Sequence, residues 1–172
     1  LCYTKEYEEL CVNMHPMLNK EIEAEIAKMI KPRADYCLNQ LSSKLATYDY
    51  KSPDSLVINV SISPKVISVG LIKKISFTRN DNTLSLNGFN IRINSGLYDF
   101  IRLSNEVINQ ELNCNCEAES CNADTVIITK NNREFEVNKP VFNDNGEIYV
   151  ITEVLTGDSF KFVVRNCMRR II

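Results

Sequence analysis

The sequence has no tryptophan, one histidine, and only five glycines and five prolines among its 172 residues. Collagen-like chains and flexible linkers are rich in glycine and proline, so both classes are excluded. Hydrophobic residues make up 44% of the chain and charged residues 24%, which is close to the average of globular proteins. A chain of this length buries roughly 70% of its unfolded surface, and we therefore predict a compact fold rather than wholesale disorder.

The sequence also lacks an apolar run of the roughly 18 to 20 residues that a membrane-spanning helix needs. It begins at Leu1 rather than at methionine, which favours a trimmed chain. Near its other end, Arg165, Arg169 and Arg170 precede two isoleucines. Such a cluster is typical of a solvated tail, or of the basic flank of a membrane anchor. We expect a soluble chain, with an anchor outside the given sequence as the alternative.

Neither sign of charge is in excess. Twenty basic and 22 acidic residues give a net charge of -2, so no overall field attracts nucleic acid or anionic lipid. Basic and aromatic residues are not interleaved along any segment, as they are in proteins that stack single-stranded bases. We therefore predict no nucleic-acid partner.

Motifs for cofactor and phosphate chemistry are missing, since the chain has no G-x-G-x-x-G, P-loop or G-x-S-x-G pattern. A nucleophilic site would have to use His15, the single histidine, which precedes Pro16 at a predicted helix end. Glu21 and Glu25 share one helix face, in a pattern typical of solvated surface. We predict a non-enzymatic protein with no catalytic residue and no cofactor.

The hydrophobic pattern changes its period along the chain. Apolar residues recur at helical spacing over residues 3–14 and from about 17 to 47. Pro32 interrupts the second segment, which predicts a kinked helix or a helical hairpin. Apolar residues then alternate from Leu56 to Phe77, which predicts strands with one buried face.

The second half of the chain continues this mixed pattern. Asn87-Gly88 predicts a type I′ hairpin turn, and helical spacing returns over residues 97–112. Four strands joined by tight turns are predicted after a cysteine-rich loop. The fold class is therefore α+β, with N-terminal helices packed on an antiparallel β meander. We predict a single domain over residues 1–172, with a helical part (1–50), a β part (51–96), a helix (97–112) and a cysteine-rich loop with a meander (113–172).

Cysteine is more frequent than in most cytosolic proteins. The seven cysteines are candidates for disulfide bonds: Cys2, Cys11, Cys37, Cys114, Cys116, Cys121 and Cys167. Cys114 and Cys116 are too close in sequence to bridge each other without strain, so we expect distant partners such as Cys37 or Cys167. Connectivity is not deducible. Because seven is odd, at least one thiol is left free, pairs between chains, or lost its partner when the chain was trimmed.

A zinc site is the alternative use of these cysteines. Cys11 and His15 stand four residues apart, and Cys114 with Cys116 or Cys121 would complete four ligands. Proline after the histidine disrupts that turn, and no C-x-x-C pair supports the site. We therefore predict no metal, with a zinc-stabilised intracellular interaction module as an alternative.

The sequon Asn59-Val60-Ser61 makes Asn59 a candidate for glycosylation in a secreted protein. Cys116, Cys121 and Asn122 lie in a stretch that is similar to a cysteine pair in fusion proteins of large DNA viruses. This similarity is confined to residues 116–123 and does not extend to the strands before it. No family is assigned from it.

These observations favour a disulfide-stabilised ectodomain, or a secreted or virion-surface protein, that binds another protein. The loop from Asn113 to Asp124 is the expected recognition element, because loops on a rigid scaffold tend to carry function. Its candidate contact residues are Asn113, Asn115, Glu117, Glu119 and Asn122. The alternative is a lipid carrier, in which the kinked helix lies over a curved sheet and leaves an apolar pocket.

Overall fold

The computed structural model describes residues 15–45, 47–113, 125–143 and 146–164. Within them lie two helices and eight strands, which confirms the α+β class. In chain order these are α1 (Leu18–Lys44), β1 (Asp49–Lys51), β2 (Val57–Ser63), β3 (Val66–Arg79), β4 (Asn82–Asn94), α2 (Leu97–Asn113), β5 (Thr125–Lys130), β6 (Arg133–Asn143), β7 (Gly146–Glu153) and β8 (Ser159–Val164). The helix expected over residues 3–14 and the cysteine-rich loop lie outside the described residues.

The chain divides into two compact units. One unit is Met17–Asp99, which contains α1 and strands β1 to β4. The other joins Leu1–Pro16 to Phe100–Ile172, and its described part contains most of α2 and strands β5 to β8. A single domain over residues 1–172 stays a prediction.

Helix α1 runs without interruption from Leu18 to Lys44 and contains Pro32. A helical hairpin at this proline, one of the two expected arrangements, is therefore wrong. Proline has no backbone N–H and so removes one hydrogen bond from the helix. The neighbouring residues can still form the backbone hydrogen bonds on either side of it. Three ion pairs between residues three or four apart also support the helix, namely Lys20 with Glu23, Lys28 with Glu25, and Lys31 with Asp35.

The first sheet is built around β3. This strand pairs antiparallel with β4 along nearly all of its length, and it also pairs antiparallel with β2 and with β1. Asn80 and Asp81 connect β3 to β4 with φ angles of 48° and 63°. Positive φ at both central residues is what a type I′ hairpin turn requires, and asparagine and aspartate tolerate it better than most residues.

The turn expected at Asn87-Gly88 is wrong, because both residues lie inside β4. The register between β3 and β4 shifts here, between Ile72 and Ile75, which identifies a bulge. Gly88 has a φ of 149°, and a Cβ atom on it would lie 2.3 Å from the carbonyl oxygen of Leu71. This glycine therefore permits close approach of two strands rather than a reversal of the chain.

The second unit is the expected meander, with its strands paired antiparallel in the order β5-β6-β7-β8. Asn131 and Asn132 turn β5 into β6, again with positive φ. Helix α2 confirms the helix expected over residues 97–112 and ends at Asn113. Its apolar residues join those of the sheet in one core: Phe100, Leu103, Val107, Phe135, Val137, Tyr149 and Ile151.

Candidate functional site

Strand β4 is an open edge of the first sheet. Among the described strands it pairs only with β3, and every one of its residues except Leu86 is exposed. An edge strand presents backbone N–H and C=O groups that another strand can pair with. Within the part of the chain that the structure describes, the outer side of β4 is therefore available for backbone hydrogen bonds.

One face of this sheet is apolar across three strands. Residues paired across neighbouring strands share a face, and nine apolar residues are aligned in this way: Ile58, Val60 and Ile62 on β2, Leu71, Val69 and Ile67 on β3, and Phe89, Ile91 and Ile93 on β4. Val69 in the middle is only 4% exposed, whereas Phe89, Ile91 and Ile93 are 43%, 47% and 51% exposed. We call these last three residues the β4 apolar row.

The β2 side of the same sheet is covered by helix α1. The backbone N–H of Ile62 donates to Oε1 of Glu23 at 2.8 Å, in place of a bond to a further strand. Further along, Nζ of Lys31 donates to the carbonyl oxygen of Leu56 at 2.8 Å. Helix side chains thus occupy one backbone group of β2 and that of Leu56, the residue directly before the strand, whereas no described residue does this for the outer side of β4.

The Glu23 carboxyl stabilises the contact between α1 and β2 in its charged form. Burial alone would raise the pKa of its carboxyl, but the hydrogen bond from Ile62 and the nearby Lys20 ammonium outweigh burial and hold the pKa below its ordinary value. Nζ of Lys20 lies 2.8 Å from Oε2 of Glu23. The carboxylate is therefore ionised at neutral pH, and it accepts hydrogen bonds from the Ile62 backbone and from Lys20.

The other face of β4 is polar and carries a single charge. Asn90, Arg92 and Asn94 pair with Gly70, Ser68 and Val66 of β3. Arg92 is exposed and makes no ion pair with another residue that the structure describes. It is also the only charged residue in β4, which contains no proline. Charges and prolines usually protect edge strands from pairing, and β4 has little of either.

The β3–β4 hairpin is positively charged although the chain as a whole is not. Between Val66 and Asn94 the sequence has four basic residues and one acidic residue, against a net charge of -2 for the whole chain. The basic residues are Lys73, Lys74, Arg79 and Arg92, and the acidic residue is Asp81. The hairpin that contains the open edge therefore has an excess of positive charge.

The edges of the second sheet differ from β4 because each buries one face. Ile128 of β5 packs against the core of the second unit, and so do Phe160 and Phe162 of β8. Ile127 of β5 points the other way and is 68% exposed. These strands show the usual alternation of buried and exposed residues, whereas β4 is exposed on both faces.

A groove of about 680 Å³ lies at the turn end of the hairpin. Its lining mixes apolar and polar side chains: Leu45, Tyr48, Phe77, Arg79, Asn80, Asn82, Thr83 and Leu84. The guanidinium of Arg79 lies 5.4 Å from the ring centroid of Tyr48. This is a cation–π contact between two residues of the groove lining. Because most of the lining residues are exposed, this is an open groove rather than the enclosed apolar pocket of a carrier.

Among the described residues of the second unit, the ion pair between Arg133 and Glu153 is also structural. Arg133 donates from Nε and Nη2 to the two carboxylate oxygens of Glu153, and the Thr156 hydroxyl donates to the same carboxylate at 2.8 Å. The hydrogen bonds from Arg133 outweigh burial and hold the pKa of Glu153 below its ordinary value. A carboxylate held in this way is a poor general acid or base near neutral pH.

The residues proposed from the sequence are not gathered at β4. Asn59 and Ser61 of the sequon are exposed on β2, and Cys37 is a free, exposed thiol on α1. Asn113 is the last residue of α2. The remaining candidates lie outside the described residues, so their disulfides and contacts stay predictions: Cys2, Cys11, Cys114, Asn115, Cys116, Glu117, Glu119, Cys121, Asn122 and Cys167.

The described part of the chain offers no group of three or more His, Cys, Asp or Glu side chains that could hold a metal ion. His15 is exposed at its start. Of the described helices, none is both long and apolar enough to cross a membrane.

Comparison with known proteins gives no family. No protein-family model, curated protein or solved structure matches this chain.

Sequence reasoning missed the open edge. Phe89, Ile91 and Ile93 alternate with polar residues, which normally indicates a strand with one buried face. The signal for an interaction surface was the lack of charge, since Arg92 is the only ionisable residue from Asn82 to Asn94.

Proposed function

We propose that this protein is non-enzymatic and acts by binding another protein through strand β4. The observation that carries this proposal is the coincidence of an open backbone edge with the half-exposed β4 apolar row. Exposed apolar patches and unprotected edges both favour pairing with another chain. A surface of this kind is costly to leave in water unless a partner covers it.

The magnitude of this effect is suited to recognition. Full burial of a Phe or Ile side chain contributes about 1.5 to 3 kcal/mol, and each residue of the row is already about half covered. Covering the rest would contribute about 1 kcal/mol per residue. Backbone hydrogen bonds along the edge would add to this and would fix the orientation of the partner.

We further propose that the protein is a disulfide-stabilised ectodomain, or a secreted or virion-surface protein. The cysteine content supports this location. So does the position of Asn59, which is exposed on β2 and accessible to a glycan. The loop from Asn113 to Asp124 remains a second candidate surface for the partner.

Site-specific photo-crosslinking in the source cells or virions tests the proposed binding surface. A benzophenone amino acid would replace Ile91 in one variant and Ile127 in a second. The second variant is a matched control, because Ile127 is also an exposed isoleucine on an edge strand. A third variant would carry the crosslinker at Glu117, within the loop.

We expect the variant at Ile91 to give a discrete protein adduct that the variant at Ile127 does not give. An adduct only at Glu117 would move the interface to the loop. Lipid adducts at Ile91, without a protein adduct, would instead favour a lipid carrier. Absence of any protein adduct at Ile91 and Glu117 would overturn the proposal.

A further inference from the structure

We infer that the partner contributes an extended segment of alternating apolar and acidic residues, which adds to the first sheet as a strand beside β4. This inference rests on the proposed function and names the chemistry of the partner. Three features of β4 support it: the regular pairing beyond the bulge, the two different faces of the strand, and the positive charge of the hairpin.

The regularly paired part of β4, to which a partner strand could add, follows the bulge. From Phe89 to Asn94 each residue pairs with β3 in unbroken register, so the backbone is regularly extended. Six residues span about 20 Å. A partner of similar length would form a continuous ladder along the outer side of this stretch.

The two faces of this stretch favour different side chains in a partner strand. An added strand places alternate residues on opposite faces. Those on one face would contact Phe89, Ile91 and Ile93, which calls for apolar residues such as valine or isoleucine. Those on the other face would lie beside Arg92 and the asparagines, where carboxylates would give the arginine the ion pair that it lacks among the described residues.

Charge also argues against a second copy of this chain as the occupant. Pairing β4 with β4 of another copy would bring together two hairpins, each with four basic residues and one acidic residue. Like charges across neighbouring strands are destabilising. An acidic segment meets the same surface with attraction instead, and faster association follows from that attraction.

Fluorescence anisotropy with synthetic peptides and the full 172-residue chain tests this inference. The acidic probe is a labelled heptapeptide of alternating valine and glutamate, and the basic probe replaces each glutamate by lysine. A third probe carries an N-methyl group on every residue of the acidic peptide, which removes the backbone donors of both edges. We expect the acidic probe to bind about tenfold more tightly than the basic probe at low salt, and the N-methylated probe to bind weakly because neither of its edges can donate to β4.

Substitutions identify the surface. Ile91→Lys should weaken the acidic probe at least about tenfold, whereas Ile127→Lys should not. Arg92→Glu should reverse the preference toward the basic probe, whereas Lys161→Glu, on an exposed position of β8, should leave it unchanged. Because Ile91 and Arg92 are exposed, these variants should fold, and thermal unfolding would verify this. Ile91→Thr replaces Ile91→Lys if the latter unfolds.

Equal binding of the acidic and basic probes, or no effect of Arg92→Glu, would overturn the inference. So would concentration-dependent self-association that Ile91→Lys abolishes, because a second copy would then occupy the edge. These results are distinct from failure of the proposed function. A protein adduct at Ile91 with no peptide binding would reject only the partner chemistry, and peptide binding with no adduct would reject the biological role.

Discussion

At the scale of single residues, the buried carboxylates of Glu23 and Glu153 stabilise contacts between separate elements. Glu23 links α1 to the β2 backbone, and Glu153 links β7 to Arg133 at the start of β6. Both have a pKa below the ordinary value. Their placement depends on tertiary contacts, so the sequence pattern of α1 predicted only a solvated acidic face for its glutamates.

Glu153→Gln is expected to destabilise the protein by about 3 kcal/mol, because it removes the charged carboxylate that accepts two hydrogen bonds from the partly buried Arg133 guanidinium. The midpoint of urea unfolding measures this change. Glu134→Gln, at an exposed position of β6, is the matched control and should have little effect. A loss as small as that of the control would contradict the structural role of the ion pair.

The same residue gives a pH dependence with a definite sign. The pKa of Glu153 is lower in the folded protein than its ordinary value of 4.5, so the unfolded state binds the proton more readily. Its contribution to stability is fully present above pH 4.5 and is lost as the pH falls from there through the folded-state pKa. The wild type should lose stability more steeply than Glu153→Gln in this acid range, and identical slopes would contradict the assignment.

At the scale of elements, local sequence rules predicted the elements better than their connections. Two turn-forming dipeptides lie close together, Asn80-Asp81 and Asn87-Gly88, and the second is the stronger local signal for a hairpin. The chain turns at the first because Ile75 and Phe77 then pair with Leu86 and Leu84. That choice depends on pairing across the sheet, which no single-segment rule includes.

The exposure of β4 also could not be predicted from the sequence. Alternation of Phe89, Ile91 and Ile93 correctly indicates a strand, but whether another element covers the apolar face depends on the path of α1. That helix packs against β2, and the β4 row keeps close to half of its surface accessible to water. The short strand β1 was missed because Asp49–Lys51 is too short to show a period.

Gly88→Ala should destabilise the first unit by at least about 2 kcal/mol, because a Cβ atom would overlap the Leu71 carbonyl oxygen. Gly157→Ala is the matched control: it also has positive φ, but its Cβ would meet nothing within 4 Å. The control should therefore cost only about 1 to 2 kcal/mol from backbone strain. Thermal unfolding compares the two variants, and equal losses would argue against close strand approach at the bulge.

At the scale of the whole molecule, the division into two units concentrates the candidate surface in one of them. Strand β4 belongs to Met17–Asp99, whereas six of the seven cysteines belong to the other unit. Cys37, the exception, is exposed and free. The proposed disulfides would therefore lie in the unit that does not contain the open edge.

Thiol counting by intact mass tests this distribution. Native, unreduced protein should take up one alkyl group, at Cys37, and the reduced and unfolded protein should take up seven. Cys37→Ser should take up none in the native state. Seven reactive thiols in folded, unreduced protein would reject both the disulfides and an extracellular location.

Helix α1 covers β2, and this limits the number of partner strands that can add to the first sheet. Glu23 and Lys31 engage the backbone of Ile62 and Leu56 on that flank, whereas no described residue engages the outer side of β4. In the proposed complex an added strand would occupy the β4 flank, so each chain would receive one partner segment there. The expected stoichiometry is therefore one partner segment to one chain, because α1 covers the flank on the β2 side.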